Sequence, residues 1–205
     1  MTIPMKLVLG DSSHDFMTFK DWVFSSNQKD ISDLYIRTNS VQRLQGETDL
    51  NKKCTDEIVR TISGKTVLEV GCGRGYLANL ISDNHDITAC DIIIPKKLKK
   101  QFPKINFIEG DIQLLPFANK SFDTVISTHT LEHVRDLPRA ISELRRVAKK
   151  ELIIVVPRQR PYKYTFSLHT QFFPYKWSIT DSFGYKDGVT IKKLGDWFYH
   201  ESIKE

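Results

Sequence analysis

Hydrophobic residues in the middle of the chain occur in short continuous runs, separated by segments with a helical spacing. The continuous runs predict five buried strands, at 66–70, 87–90, 105–108, 124–127 (beginning near Phe122) and 152–156. The segments between them predict helices that begin near 76, 96 and 137, the last opened by Asp136 and Pro138. Because strands alternate with helices, the pattern predicts a parallel sheet with helices on both faces.

The segment before these strands is polar and contains scattered aromatic residues. Residues 15–40 predict one or two short helices whose aromatic side chains pack against the main domain. A further helix is predicted, capped by Asp49 and followed by Gly64 as a stop, because apolar residues recur at every fourth position: Leu50, Cys54, Ile58 and Ile62. We expect residues 1–63 to form a helical lid or substrate segment.

The last segment of the chain ends in two β-prone runs. Residues 189–194 and 197–200 flank Gly195 and Asp196, a pair that favours a tight turn, so a terminal hairpin is predicted. The chain therefore divides into the N-terminal segment, a core at 64–157, and residues 158–205, which supply a substrate loop and the hairpin that completes the same domain.

Composition narrows the class of protein. The chain has 205 residues, 40% hydrophobic and 27% charged, which suits one folded domain and excludes wholesale disorder. The net charge of +5 permits an anionic ligand without demonstrating one. No apolar run approaches the roughly 18 residues that span a bilayer. The short apolar stretch at the N-terminus is followed by polar residues, so we expect a cytoplasmic protein that does not insert into a membrane.

The three cysteines, Cys54, Cys72 and Cys90, are odd in number and show no metal-binding spacing. They are predicted to be packed thiols in a reducing compartment, and no metal site is predicted.

A glycine-rich loop follows the first strand. Gly71, Gly73 and Gly75 allow a tight turn and the close approach of a ligand. Tyr76 stands where a dinucleotide fingerprint requires glycine, and the Gly-Lys-Ser/Thr of a phosphate-binding loop is absent. Glu69, just before the glycines, would repel a pyrophosphate and suits a ligand with a cationic end.

Acidic residues follow the second and third strands. Asp91 can accept from both hydroxyls of a ribose, although a helix cap or a solvated charge is the alternative. Asp111 can accept from an adenine amino group, with Ile92 and Ile112 flanking the ring. Because parallel sheets bind ligands at the carboxyl ends of their strands, the site is expected just after residues 70, 91, 111 and 127.

Together these segments resemble the class I S-adenosylmethionine-dependent methyltransferases of the small-molecule type (methyltransferase type 11-like). The resemblance covers residues 64–157 and is carried by Val-Leu-Glu-Val-Gly-Cys-Gly-Arg-Gly at 67–75, Asp91, Glu-Gly-Asp at 109–111, Leu-Pro-Phe at 115–117, Ser-Phe-Asp-Thr-Val-Ile at 121–126 and Leu-Glu-His-Val at 131–134. It implies a Rossmann-like, seven-stranded, mostly parallel sheet with an antiparallel terminal hairpin, and S-adenosylmethionine as the cofactor.

The resemblance also implies where the cofactor binds. The methionine portion would lie at Glu69 and the glycine loop, the ribose at Asp91, and the adenine at Asp111. The complete set of cofactor-binding residues expected is Glu69, Gly71, Cys72, Gly73, Gly75, Asp91, Ile92, Asp111, Ile112, Thr128 and His129.

Three histidines are candidates for catalysis. Methyl transfer is an in-line displacement that depends on positioning, and a general base adds on the order of 10²- to 10⁴-fold when the nucleophile is a hydroxyl. His129 follows the fourth strand, near the expected methyl donor, and His169 would close the pocket from the far side. His133 is the third candidate, with a structural role at a helix start as the alternative.

The residues after the fifth strand suggest a substrate. Arg158, Arg160 and Tyr162, with Lys163 beside them, are predicted to bind it, because the arginine fork matches phosphate or carboxylate. We expect a small anionic metabolite or activated sugar, methylated at oxygen, although a solvated basic loop is equally open.

Two other functions remain open. A nucleic-acid (RNA) methyltransferase is less favoured, because residues 127–130 read Ser-Thr-His-Thr instead of the Asn/Asp-Pro-Pro-Tyr/Phe of amino-methylating enzymes. The chain could also be a non-catalytic partner subunit that binds the cofactor. Its oligomeric state does not follow from the sequence.

Overall fold

Seven strands form one sheet in the computed structural model, which describes residues 12–42, 48–162 and 167–203. The strands are β1 (Thr66–Val70), β2 (Asp86–Asp91), β3 (Asn106–Glu109), β4 (Phe122–Thr128), β5 (Ala148–Val156), β6 (Val189–Leu194) and β7 (Asp196–Ser202). They lie in the order β3-β2-β1-β4-β5-β7-β6. The first five are parallel, and β6 and β7 form an antiparallel hairpin beside β5. The seven-stranded, mostly parallel sheet is therefore confirmed.

The described residues also contain seven α-helices. They are α1 (Ser12–Trp22), α2 (Gln28–Gln42), α3 (Lys52–Thr61), α4 (Tyr76–Ile81), α5 (Lys96–Gln101), α6 (Leu137–Val147) and α7 (Lys176–Phe183). Short 3₁₀ turns occur at Val23–Ser25 and Leu131–His133. None of the described helices is both long enough and apolar enough to cross a bilayer.

The structure differs from the predicted helices in two places. The helix predicted from Asp49 begins at Lys52 and is capped by Asn51, whose Oδ1 accepts the Cys54 N–H at 3.1 Å. Asn51 is the residue that reaches the free N–H groups of the first turn, as an N-cap must. Helix α7 was not predicted at all, because its buried face consists of only Ser178, Ile179 and Phe183.

The core lies on both faces of the sheet. One cluster packs α6 and α7 against the sheet, and the other packs α3, α4 and α5 against the opposite face. The three cysteines are buried free thiols, as predicted. A third, smaller cluster joins α1 and α2 to Leu168 through Phe16, Phe19, Val23 and Leu34.

The strand order places a crevice between β1 and β4. Strands β2 and β3 extend to one side of this pair, and β5, β7 and β6 extend to the other. Val70 is paired with Ser127, so the loops that follow β1 and β4 leave the sheet side by side. Ligands of open parallel sheets bind at such a switch point.

Candidate active site

A cavity of about 720 Å³ lies at the carboxyl ends of β1 to β4. Its wall contains the loop after β1, the ends of β2 and β4, the segment after β3, and residues of α1 and α2. This volume is within the range of roughly 300–1,000 Å³ found for small-molecule sites. The cavity lies where the sequence predicted the site.

The glycine loop is held in place by β2. The N–H groups of Gly71 and Cys72 both donate to the Cys90 carbonyl, at 2.8 and 3.2 Å. Gly71 has φ +78°, and a Cβ there would lie 1.9 Å from Thr130 Oγ1, so no side chain fits. At Gly73, with φ +50°, a Cβ would meet nothing within 4 Å. The loop therefore presents bare backbone to the cavity at Gly73.

Glu69 brings a buried carboxyl group to the cavity wall. Burial raises the pKa of Glu69 to about 8, although a hydrogen bond from the Ala78 backbone opposes the shift. Within the described residues, Oε2 has no hydrogen-bond partner. Buried polar atoms are almost always paired, so this oxygen marks the place of a missing donor, and a cationic group of a ligand would satisfy it.

Asp91 and Asp111 lie at the next two strand ends. Gly73 donates its N–H to Asp91 Oδ2 at 2.7 Å. Burial raises the pKa of Asp91 above its usual range, and hydrogen bonds from backbone N–H groups, that of Gly73 foremost, oppose the rise. Asp111 Oδ1 accepts from the Gln113 N–H at 2.8 Å. Both aspartates line the cavity, together with the two apolar residues predicted beside them, Ile92 and Ile112.

Most of the predicted cofactor residues meet in this cavity. Glu69, Gly71, Cys72, Gly73, Asp91, Ile92, Asp111, Ile112, Thr128 and His129 all line it. Gly75 instead is the N-cap of α4, and a Cβ there would lie 3.4 Å from the Phe107 ring. The orphaned Glu69 oxygen, the open backbone at Gly73 and the Asp91 carboxylate together fit S-adenosylmethionine, which has an ammonium group and ribose hydroxyls.

His129 lies at the end of β4 between two carboxylates. Its backbone is left-handed, with φ +50°. Nδ1 is 3.5 Å from Glu132 Oε1, and Nε2 is 3.5 Å from Asp196 Oδ2. Burial disfavours the charged ring, but the two carboxylates outweigh burial and raise the pKa of His129 to about 10. The ring is therefore an imidazolium at neutral pH, which suits orienting a ligand and does not suit the general base predicted from the sequence.

The other two histidines form a cluster with Glu132. His133 and His169 pack edge to face, with ring centroids 4.7 Å apart. His133 Nδ1 donates to the Leu168 carbonyl at 3.0 Å, and His169 Nδ1 lies 2.7 Å from Gln159 Oε1. Burial, followed by the charge of His133, lowers the pKa of His169 to about 4. His169 is therefore neutral at physiological pH.

The predicted substrate residues lie elsewhere. After β5, the cavity wall is formed by Pro157 and Gln159, whereas the side chains of Arg158 and Arg160 are exposed. Arg160 lies over the Tyr175 ring at 5.9 Å. Tyr162 is 57% exposed, and Lys163 falls outside the described residues.

Several residues of the cavity wall were not singled out from the sequence. They are Arg74, Glu132, Arg135, Gln159 and Asp196. Arg74 stands inside the glycine motif and Arg135 directly follows Leu-Glu-His-Val, so position next to a motif was the available signal. Asp196 and Gln159 had none, because long-range folding brings them to the site.

Comparison with known proteins agrees with this fold and cavity. The sequence family described as a methyltransferase domain (type 11) matches residues 68–156. The demethylmenaquinone methyltransferase of Renibacterium salmoninarum is 33% identical over 123 residues, which are 58% of this chain and 52% of that protein. The corresponding enzyme of Beutenbergia cavernae is 30% identical over 152 residues, 70% of this chain and 63% of that protein. The chain thus spans between 52% and 63% of the length of these two curated relatives.

A solved structure gives the same fold. A methyltransferase of Thermotoga maritima, described as S-adenosylmethionine-dependent and as a possible histamine N-methyltransferase, has a TM-score of 0.58 at 16% identity. The match covers 91% of this chain and 98% of that one. The sheet order is that of the Rossmann-like fold shared with this neighbour. Residues 68–156 thus match the methyltransferase domain family, and the fold is that of a class I S-adenosylmethionine-dependent methyltransferase.

Proposed function

We propose that this chain transfers a methyl group from S-adenosylmethionine to a small molecule held in the same cavity. The observation that carries the proposal is the buried Glu69 carboxyl, which has no partner at Oε2 within the described residues and lies on the wall of a cavity that Asp91 also lines. Glu69 would bind the ammonium group and Asp91 the ribose hydroxyls. When bound, the cofactor supplies a methyl group activated by its sulfonium.

The acceptor side of the cavity is apolar at one end. Phe16, Phe19, Val23, Leu34 and Leu168 belong to one cluster and also line the cavity. The two relatives above are named for demethylmenaquinone, a molecule with an apolar portion. We therefore propose that residues of the N-terminal helices bind the apolar part of a small acceptor, which makes this segment a substrate-binding region.

We place the reacting end of the acceptor at the polar cluster, which consists of Glu132, His133 and His169. His133 and His169 both line the cavity beside Glu132. His133 Nδ1 donates to the Leu168 carbonyl, and His169 beside it is neutral. Glu132 and the neutral ring of His169 form a polar surface that suits a hydroxyl group, so methylation at oxygen is our proposal.

An anionic group on the acceptor also remains a proposal. Arg74 and Arg135 line the cavity, so cationic side chains lie there as well as at Arg158 and Arg160. Replacing Arg135 and Arg158 separately by Ala distinguishes the two locations. The KM for the acceptor should rise only when the arginine that contacts the acceptor is removed.

Titration with S-adenosylhomocysteine tests the proposed function. We expect wild-type binding and a loss of at least about tenfold in Asp91→Ala, the equivalent of one charge-assisted hydrogen bond. Asp86→Ala is the matched control, because Asp86 lies at the opposite end of β2 in an exposed ion pair with Lys65. Absence of binding by the wild type would overturn the proposal.

Turnover separates the remaining alternatives. With labelled S-adenosylmethionine, methylation of demethylmenaquinone or a related small molecule supports the proposal. Labelling of RNA alone would favour the nucleic-acid alternative. Cofactor binding without transfer to any acceptor would favour the non-catalytic partner subunit.

A further inference from the structure

Three side chains of the polar cluster converge on one point. Glu132, His133 and His169 each offer a ligand atom, and these atoms all lie within 4.8 Å of one another. Two nitrogens and one oxygen at such spacing form a donor set typical of divalent transition metals. The two histidines are 36 residues apart in the chain, which is why no ligand spacing was visible in the sequence.

Each histidine is anchored through its other nitrogen. His133 Nδ1 donates to the Leu168 carbonyl, and His169 Nδ1 lies 2.7 Å from the amide oxygen of Gln159. Metal-binding histidines almost always donate their second ring N–H in this way, which fixes the ring and directs the other nitrogen to the ion. The cluster therefore has the outer hydrogen bonds of a metal site as well as its ligands.

Glu132 provides an independent observation. Its side chain is 1% exposed, and within the described residues its Oε2 has no hydrogen-bond partner. His129 contacts the other oxygen, Oε1. A buried carboxylate oxygen without a partner is costly, so Oε2 is the atom that a cation would satisfy.

The backbone around the cluster is tied together before any ion binds. Thr170 and Gln171 donate their N–H groups to the Glu132 carbonyl, at 2.7 and 3.0 Å. Gln171 Nε2 also donates to the Val134 carbonyl at 3.0 Å. These bonds hold the turn that carries Glu132 and His133 against the segment that carries His169, so the ligands are prearranged.

We propose that Glu132, His133 and His169 bind one divalent transition-metal ion of the Zn²⁺ class at the acceptor end of the cavity. Three protein ligands leave a coordination position open, as in catalytic zinc sites, and all three residues line the cavity. The acceptor would then be a molecule that offers an oxygen ligand to the ion. This role rests on the proposed function, whereas metal binding itself does not.

The test is a titration of the metal-stripped full chain with Zn²⁺, followed by Co²⁺ absorption spectroscopy. We expect one Zn²⁺ per chain and the strong visible bands of a low-coordinate Co²⁺ site. His169→Ala should abolish both, and Gln159→Leu should weaken Zn²⁺ binding by about 10- to 100-fold through the lost outer hydrogen bond. His85→Ala is the control, because that partly exposed histidine lies outside the cavity wall, with Nδ1 at the Gly64 carbonyl, and its loss should change nothing.

The outcomes separate this site from the proposed function. No saturable Zn²⁺ binding, with S-adenosylhomocysteine binding intact, overturns the metal site alone. Zn²⁺ binding that persists in both His169→Ala and His133→Ala overturns its location, once circular dichroism shows that both variants fold. Zn²⁺ binding without S-adenosylhomocysteine binding overturns the proposed function and leaves the site standing. The Co²⁺ spectrum of the wild type needs no variant. If it shows nothing but the weak bands of the hydrated ion, the proposal is contradicted.

Discussion

Nε2 of His129 lies 3.5 Å from Oδ2 of Asp196, which joins the end of β4 to the beginning of β7. Asn51, the cap of α3, donates to the same carboxylate oxygen at 2.8 Å. One carboxylate therefore connects three elements that are distant in sequence, directly beside the cavity. Through this contact the terminal hairpin supplies a residue to the cavity wall, although no residue of the hairpin was predicted to lie there.

Replacing Asp196 by Asn should destabilise the fold. The change removes the charge that faces a partly buried imidazolium, and we expect a loss of about 1–2 kcal/mol in the free energy of unfolding. Denaturant titration measures it, and Asp187→Asn, at an exposed position, is the control. Equal stability of the two variants would show that Glu132 alone compensates His129.

Glu69 should make stability depend on pH. Its pKa is about 8 in the folded chain against an ordinary value of 4.5, so the folded state holds a proton that the unfolded state releases. The stabilising contribution is therefore complete below pH 4.5 and is lost as the pH rises to about 8, with a slope of up to about 1.4 kcal/mol per pH unit. Glu69→Gln should remove this slope, measured by denaturant titration across that range. Parallel curves for the two proteins would contradict the assignment.

The same carboxyl should release a proton when the cofactor binds. An ammonium group at Glu69 favours the carboxylate, so roughly one proton should be released per S-adenosylhomocysteine bound near neutral pH. Calorimetry in buffers of different ionisation enthalpy measures this number directly. Glu69→Gln should bind more weakly and release none, and an unchanged proton count in that variant would place the ammonium group elsewhere.

Two glycines of the loop should respond differently to the same substitution. Gly71→Ala places a Cβ 1.9 Å from Thr130 Oγ1, so the loop must shift, and we expect a loss of about 2–4 kcal/mol in unfolding free energy. Gly73→Ala meets no protein atom within 4 Å and should cost only about 1–2 kcal/mol of backbone strain. Its methyl group would occupy space beside the cavity, so S-adenosylhomocysteine affinity should fall. If Gly73→Ala binds as tightly as the wild type, the cofactor does not approach this residue.

The fold was largely predictable because buried parallel strands are apolar on both faces. Leu152 to Val156 is such a run, and every residue in it is buried in β5. The residues proposed to bind the cofactor were equally visible, since Glu69 and Asp91 stand at the carboxyl ends of strands and Gly73 lies in the loop that follows β1. The part of the cavity proposed for the acceptor was not visible, because its contacts join distant segments: His129 with Asp196, His133 with Leu168, and His169 with Gln159. Position in the sequence alone does not predict which side chain faces the cavity. Arg158 is exposed, whereas its neighbour Gln159 lies on the cavity wall.

The apolar wall of the cavity should affect the acceptor and leave the cofactor unaffected. Phe19 of α1 is 2% exposed and lines the cavity, whereas Phe24, in the following 3₁₀ turn, is 62% exposed. Phe19→Leu keeps the site apolar but removes ring area worth roughly 1–1.5 kcal/mol, so the KM for the acceptor that supports turnover should rise about tenfold. The Kd for S-adenosylhomocysteine should stay the same, and Phe24→Leu should change neither constant. A parallel loss of cofactor affinity in Phe19→Leu would mean that α1 supports the whole cavity, and the assignment of its apolar end to the acceptor would then be wrong.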